Sequence, residues 1–371
     1  MDIRSKLFFK KDPYARQGTE ALFLRAVKEN IEKNSAGCGE YARILKDKGF
    51  DPDDIREEAD LARIPPIPTL YLKRNRLFSV PDSRIKVRAS SSGTKGAKSE
   101  VGLDSSSLFC GIGMMFRFFS YYKVLSLEPT NYIVVGYEPS KHLGLGAAKT
   151  AYGTTKFAPA LHREYALKDT GTAYEVNTDG VFTALMRYAG QGFPVRFVGF
   201  PAYMYFLVKT LKEKGISLKL NRRSMVLLGG GWKEFSGEEI DRESFLSLIS
   251  ETLGIGREHC IEFYSAVEHP HAYVRCPRGH FHHPLYSRVI IRDPETLEPL
   301  PEGRPGILNF ITPLVSSMPL VSVMTDDMAV CGSGCECGNP APYFDLLGRA
   351  GVEGIKTCAA DASELIRNVK I

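Results

Sequence analysis

The 371 residues carry 25% charged and 43% hydrophobic side chains, the balance of a globular chain able to bury a full core as one large domain or two smaller ones. Lys+Arg 48 against Asp+Glu 43 leaves +5, spread along the chain, which argues against a nucleic-acid footprint and suits an anionic small molecule equally well. No apolar leader follows Met1-Asp2-Ile3-Arg4 and no run of about eighteen apolar residues occurs, so the reading is a cytoplasmic protein without an integral membrane segment.

From the N-terminus, residues 1–62 are predicted helical. Thr19–Ile31 has apolar residues at helical spacing, and Tyr41–Lys48 and Asp54–Leu61 continue the pattern after short breaks. Ile64-Pro65-Pro66-Ile67-Pro68 cannot be helix and marks a boundary. Arg84–Arg88 alternates as a strand, Asp104 is placed to cap a helix, and Leu108–Tyr122 is apolar at helical spacing. Between that strand and that helix lies Ser90-Ser91-Ser92-Gly93-Thr94-Lys95-Gly96-Ala97-Lys98. Glycines free backbone N–H groups to turn inward, hydroxyls add donors and lysines add charge, so the stretch reads as a phosphate cradle; a flexible polar linker is the other reading. The spacing is not that of a Walker A loop.

Residues 130–230 alternate strand and helix. Tyr132–Gly136, Val195–Phe200 and Ser224–Leu228 read as strands, Val181–Tyr188 and Ala202–Lys214 as helices. The pattern predicts an α/β fold with mostly parallel sheets, whose ligands bind at the carboxyl ends of strands, where Gly229-Gly230-Gly231 falls. Beyond, a helix at Phe245–Leu253 runs into Ile261–Glu268, Val289–Thr296 has the shape of a strand and turn, and Gly306–Phe310 that of an antiparallel-type strand. The expected organisation is a helical segment at 1–82, an α/β domain at 83–347 and a short tail at 348–371. Eight cysteines without a leader argue against a disulfide framework, and Cys331-x-x-x-Cys335-x-Cys337 suggests metal chemistry instead.

The Gly-rich stretch resembles the [ST]-S-G-T-[TS]-G-x-P-K loop of adenylate-forming enzymes, departing at Lys95 and Ala97. Four further pieces follow in that superfamily's order: Gly229–Gly231, Tyr264-Ser265-Ala266-Val267-Glu268 for Y-G-x-T-E, Thr325-Asp326-Asp327 for T-G-D, and Gly348-Arg349 for the G-R that opens a hinge. Within the superfamily the chain is most similar to LuxE-type acyl-protein synthetases, the fatty-acid-activating component of bacterial bioluminescence reductase complexes. The likeness rests on Ile64–Pro68 with Leu77–Pro81, on Asp293-Pro294-Glu295-Thr296-Leu297-Glu298-Pro299-Leu300-Pro301, and on Lys356-Thr357-Cys358-Ala359 near the terminus. Phenylacetate–CoA ligases share much of this. Only Ala350–Ile371 follow Gly348-Arg349 where full-length enzymes carry a further domain, which favours the acyl-protein synthetases.

That resemblance implies ATP and Mg2+ chemistry on a carboxylic, fatty-type acid. Ser91, Ser92, Gly93, Thr94, Gly96 and Lys98 would hold the triphosphate and Glu268 the Mg2+. Gly229, Gly230, Gly231 and Tyr264 would lie along the nucleotide, Asp327 and Arg349 at its ribose. Cys358 would accept the acyl group as a thioester and pass it to a reductase or acyl-carrier partner. The phenylacetate type further implies Zn2+ on Cys276, His282, Cys335 and Cys337, with His280 or Cys331 as replacements. Two other functions stay open at this level: a phenylacetate-type CoA ligase, separated by release of a free CoA thioester, and a nucleotide-binding subunit without turnover, separated by acid-dependent ATP–pyrophosphate exchange.

Overall fold

The computed structural model describes residues 2–90, 98–140 and 146–349. In chain order the helices are α1 (Ile3–Phe8), α2 (Glu20–Gly37), α3 (Gly39–Asp47), α4 (Thr69–Arg74), α5 (Ser105–Tyr121), α6 (Gly146–Thr154), α7 (Thr178–Gln191), α8 (Pro201–Glu213) and α9 (Arg242–Leu253). The strands are β1 (Ile67–Pro68), β2 (Ile85–Ser90), β3 (Glu100–Asp104), β4 (Thr130–Tyr137), β5 (Ala160–Asp169), β6 (Tyr174–Val176), β7 (Val195–Gly199), β8 (Met225–Gly229) and β9 (Cys260–Ala266). They continue with β10 (His269–Val274), β11 (Phe281–His282), β12 (Arg288–Arg292), β13 (Gly306–Ile311), β14 (Ser322–Gly332) and β15 (Tyr343–Arg349). The fold is mixed α/β, and the chain forms two compact units, one of Met1–Tyr121 with Ala266–Ile371 and one of Tyr122–Ser265.

In the first unit the strands run in the order β11-β15-β14-β13-β12, antiparallel throughout, with β1 parallel on β14. β13 is buried on both faces, so its polar Asn309 must be satisfied internally. Arg292 Nε donates to Asn309 Oδ1 at 2.8 Å, and Asn309 Nδ2 donates to the Val323 carbonyl at 3.1 Å. The N-terminal helices join this sheet through equally buried polar groups. Asn30 Nδ2 on α2 donates to the carbonyls of Pro313 (2.8 Å) and Val315 (3.1 Å), and Arg4 donates to that of Leu314 at 2.9 Å. The D-P-E-T turn is closed by Asp293 Oδ1, which accepts from the amides of Glu295 and Thr296 at 2.9 Å each.

Asp54–Leu61 differs from its helical expectation and forms two 3₁₀ turns, Pro52–Asp54 and Glu58–Arg63. Side chains here compete for the backbone. Asp51 accepts from the Asp53 amide, and Asp60 Oδ2 accepts from the amides of Arg56 and Glu57, all at 2.9 Å.

The second unit matches the alternating pattern more simply. Its strand order β9-β8-β7-β4-β5-β6 is parallel from β9 to β5, and β6 is antiparallel at the edge. Ile133, Phe197 and Val226 from three strands meet Leu185, Val208 and Leu253 from three helices in one buried core. Gly199 ends β7 at φ +146, where a Cβ would stand 2.3 Å from the Val135 carbonyl oxygen, so only glycine lets the chain leave the sheet there. Among the described residues, no helix is long and apolar enough to cross a membrane.

Candidate functional site

The Gly-rich stretch does not lead directly into a helix, as its sequence suggests. β2 and β3 pair antiparallel with Ser90 opposite Glu100, so the stretch joins two strands and α5 begins only after β3. The amino end of α5 is capped by its own chain: Asp104 Oδ1 accepts from the Ser107 amide at 2.8 Å. Ser91, Ser92, Gly93, Thr94 and Gly96 lie outside the described residues, and Lys98 follows them, exposed and without an ion pair among the described residues. Cys358 also lies outside the described residues.

Glu268 occupies the turn between β9 and β10 and is only 5% exposed. Its Oε1 accepts a hydrogen bond from Ser99 Oγ, a wholly buried hydroxyl one residue before β3. Ser99 escaped the sequence reading, because the two residues are separated by 169 positions.

Asp327 and Arg349 come together across the β14–β15 ladder, where they are register partners, with Arg349 Nε 3.4 Å from Asp327 Oδ1. Asp327 is largely buried on its side chain while Arg349 is 68% exposed, leaving the guanidinium donors open to a ligand. Asp326, which stands where the related motif has glycine, reaches Lys73 of α4 at 3.8 Å. In the second unit Gly229 ends β8, Gly230 takes φ +77, and Tyr264 follows Phe263, the register partner of Gly229 on β9. Tyr137, Phe200, Tyr203, Trp232 and Phe235 line a hollow with Gly231, an aromatic grouping that single-strand patterns do not reveal.

Cys276, His282, Cys335 and Cys337 converge in the first unit, their ligand atoms all within 4.8 Å of one another. Cys276 Sγ and Cys335 Sγ are 3.8 Å apart, and Cys337 Sγ lies 3.2 Å from His282 Nε2. A tetrahedron with zinc–sulfur bonds of about 2.3 Å has sulfur–sulfur edges of about 3.8 Å, so the quartet fits that ion. The surrounding hydrogen bonds fit too. His282 Nδ1 donates to the Ala341 carbonyl at 2.7 Å, which fixes the tautomer with Nε2 free to ligate. The Cys337 amide donates to Cys335 Sγ (3.5 Å) and the Asn339 amide to Cys337 Sγ (3.4 Å). Burial, then the neighbouring thiols, push the Cys337 thiol upward, a strain that a bound cation relieves. Burial lowers His282 and keeps it neutral, the form that ligates metal. His280 stands apart: its Nδ1 meets Asp345 Oδ1 at 2.8 Å and its ring stacks on Tyr343. Cys331 lies in β14, also outside the quartet.

A family model described as "Acyl-protein synthetase, LuxE" matches residues 3–366. A long-chain-fatty-acid–luciferin-component ligase of Vibrio harveyi is 26% identical over 320 residues, covering 82% of this chain and 79% of that protein. A phenylacetate–coenzyme A ligase of Thermus thermophilus is 27% identical over 310 residues, 80% of this chain and 62% of that one. Among solved structures, an open conformation of 2-hydroxyisobutyryl-CoA ligase in complex with 2-HIB-AMP and CoA superposes with a TM-score of 0.63 at 15% identity, covering 91% of this chain and 76% of that one. That likeness shows that the two chains share a fold.

Proposed function

The chain belongs to the LuxE acyl-protein synthetase family, and we propose that it activates a long-chain fatty acid with ATP and Mg2+ and passes the acyl group through its own Cys358. It is an ATP-dependent ligase that forms an acyl-adenylate and transfers the acyl group to protein. The match over residues 3–366 carries the reading, because it spans the Gly-rich loop, Glu268, Asp327, Arg349 and Cys358 together.

In the first step a carboxylate oxygen of the acid bonds to the α-phosphorus of ATP while the bond to the pyrophosphate oxygen breaks. Positioning and charge neutralisation dominate such chemistry. Ser91, Ser92, Gly93, Thr94, Gly96 and Lys98 would hold the triphosphate, and Glu268 would hold the Mg2+, which would supply charge to offset the phosphates. Gly229–Gly231 and Tyr264 lie along the adenine, and Asp327 with Arg349 binds the ribose hydroxyls. In the second step the Cys358 thiolate bonds to the acyl carbon and AMP leaves, the thiol proton passing to solvent. A thioester stays reactive enough for a reductase or carrier-protein partner.

Cys276, His282, Cys335 and Cys337 would hold Zn2+ in a structural role in this reading, joining the β10–β11 connection to the β14–β15 connection. The same β14–β15 hairpin carries Asp327 and Arg349 at its other end.

Incubation with ATP, Mg2+ and labelled long-chain fatty acid is expected to leave hydroxylamine-sensitive label on the protein. Cys358→Ser should keep acid-dependent ATP–pyrophosphate exchange and lose that label. Full labelling of the variant would remove Cys358 from the mechanism, and label released by CoA as free thioester would favour a CoA ligase.

A further inference from the structure

Glu268 is a buried carboxylate without a counter-charge. Among the described residues no lysine or arginine pairs with it, and its hydrogen bond is the one from Ser99 to Oε1. A buried carboxylate is stabilised by an opposite charge beside it, so the arrangement suits a cation bound at the remaining oxygen. What the chain itself supplies is orientation.

Ser99 can supply it because its own place is fixed. It directly precedes β3, and β3 is held against the segment before β14. Ser317 Oγ donates to the Gly102 carbonyl at 2.6 Å, and the Asp104 amide donates to Ser317 Oγ at 3.4 Å. Packing is tight there: a Cβ on Gly102 would stand 2.5 Å from a ring carbon of Phe78. Ser99 itself is wholly buried, so its hydroxyl is shielded from competing water.

We propose that Ser99 is a positioning residue for Glu268, its hydroxyl holding Oε1 so that the carboxylate presents one fixed geometry to the divalent cation of the nucleotide. The inference rests on the assignment of Glu268 to Mg2+ made above. It also gives the end of the Gly-rich loop a second task. Lys98 reaches for phosphate while its neighbour sets the carboxylate, so one short segment coordinates both.

The test titrates Mg2+ at fixed ATP in acid-dependent ATP–pyrophosphate exchange. Ser99→Ala is expected to raise the Mg2+ concentration for half-maximal exchange about tenfold, the scale of a lost hydrogen bond to a charged group. Rate at saturating Mg2+ should stay within about threefold of wild type, and Ser99→Thr, which keeps the hydroxyl, should restore the midpoint. Glu268→Gln is the control for the underlying assignment. If Glu268→Gln moves the Mg2+ midpoint and Ser99→Ala does not, the positioning role is wrong while Glu268 keeps its own. If neither moves it, the assignment of Glu268 falls and takes this inference with it. A Ser99→Ala protein that melts earlier with an unmoved Mg2+ midpoint assigns the hydroxyl to packing and overturns the proposal.

Discussion

Two buried histidines of the first unit, His282 and His271, face opposite surroundings. His282 donates from Nδ1 to a carbonyl and turns Nε2 toward Cys337, with two further thiols close by. His271 donates from Nδ1 to the Ala272 carbonyl at 3.1 Å, but its buried Nε2 has no hydrogen-bond partner among the described residues. Aromatic rings surround it: those of His269 and Tyr273 have centroids at 4.4 and 4.3 Å. Burial lowers both imidazoles, His271 to about 3, so neither burial nor a neutral ring distinguishes them. What differs is convergence. One ring nitrogen meets a set of soft donors supplied by distant segments, while the other, among the described residues, makes no hydrogen bond and lies among aromatic rings, and it is the first that has the donor set of a cation site.

The largest expected effect tests that contrast directly. Cys335→Ser should abolish zinc binding and destabilise the protein by several kcal/mol, less than the about 10–16 kcal/mol by which zinc folds an isolated finger. His271→Gln should leave the metal in place. Elemental analysis of protein purified without chelators, followed by denaturant unfolding, reads both. Absence of zinc from the wild type would erase the distinction between the two histidines.

A smaller effect concerns pH. Above about 6.5 His271 is neutral whether folded or unfolded, so it does not make stability depend on pH. As the pH falls from 6.5 towards about 3, the unfolded chain binds a proton that the buried ring refuses, and stability declines. This one group should cost about 2 kcal/mol by about pH 5. His269, buried beside it and also lowered by burial, adds to the decline in the same direction. Urea unfolding of wild type and His271→Gln across that range should show a shallower slope for the variant. The thiol–imidazole quartet is common to both proteins, so the difference isolates His271. Parallel slopes would mean that this ring accepts a proton in the folded state.

Local chemistry made part of this legible from sequence. Asp104 was readable as a helix cap because capping depends on residues only a few positions apart, and the alternation between residues 130 and 230 gave the parallel sheet of the second unit. The Cys and His residues of the quartet could be named from likeness, with His282 ahead of His280, and the fold shows where each ring turns. His282 pairs with Tyr343 on β15, whereas the His280 ring turns to Asp345. Ser99 was invisible because its partner is supplied by a turn far along the chain, and no periodicity records such a contact. The helical reading of Asp54–Leu61 failed for the opposite reason: its carboxylates bind nearby amides, and hydrophobic spacing is blind to that competition. The first unit joins Ile67–Pro68 to Val323–Met324 in one sheet, a pairing that no local signal announces.

The smallest effect belongs to Cys331, which shares the C-x-x-x-C-x-C run with two of the quartet yet stands outside it. Strand geometry explains the separation. Cys331 is within β14, opposite Phe344 of β15, whereas Cys335 and Cys337 lie in the connection that follows and are free to curl around an ion. Its thiol is pushed up to about 12 by burial, with Glu302 and Asp345 adding to the rise, so it stays protonated at neutral pH. Cys331→Ser should therefore retain about one zinc per chain, the complement of one closed four-ligand site. Its unfolding free energy should shift by no more than about 1 kcal/mol, as expected for a small change that creates no cavity. Slow alkylation of this thiol near neutral pH, measured by mass spectrometry of the folded protein, is the companion expectation. Loss of zinc from Cys331→Ser would place this sulfur among the ligands and displace one of the four.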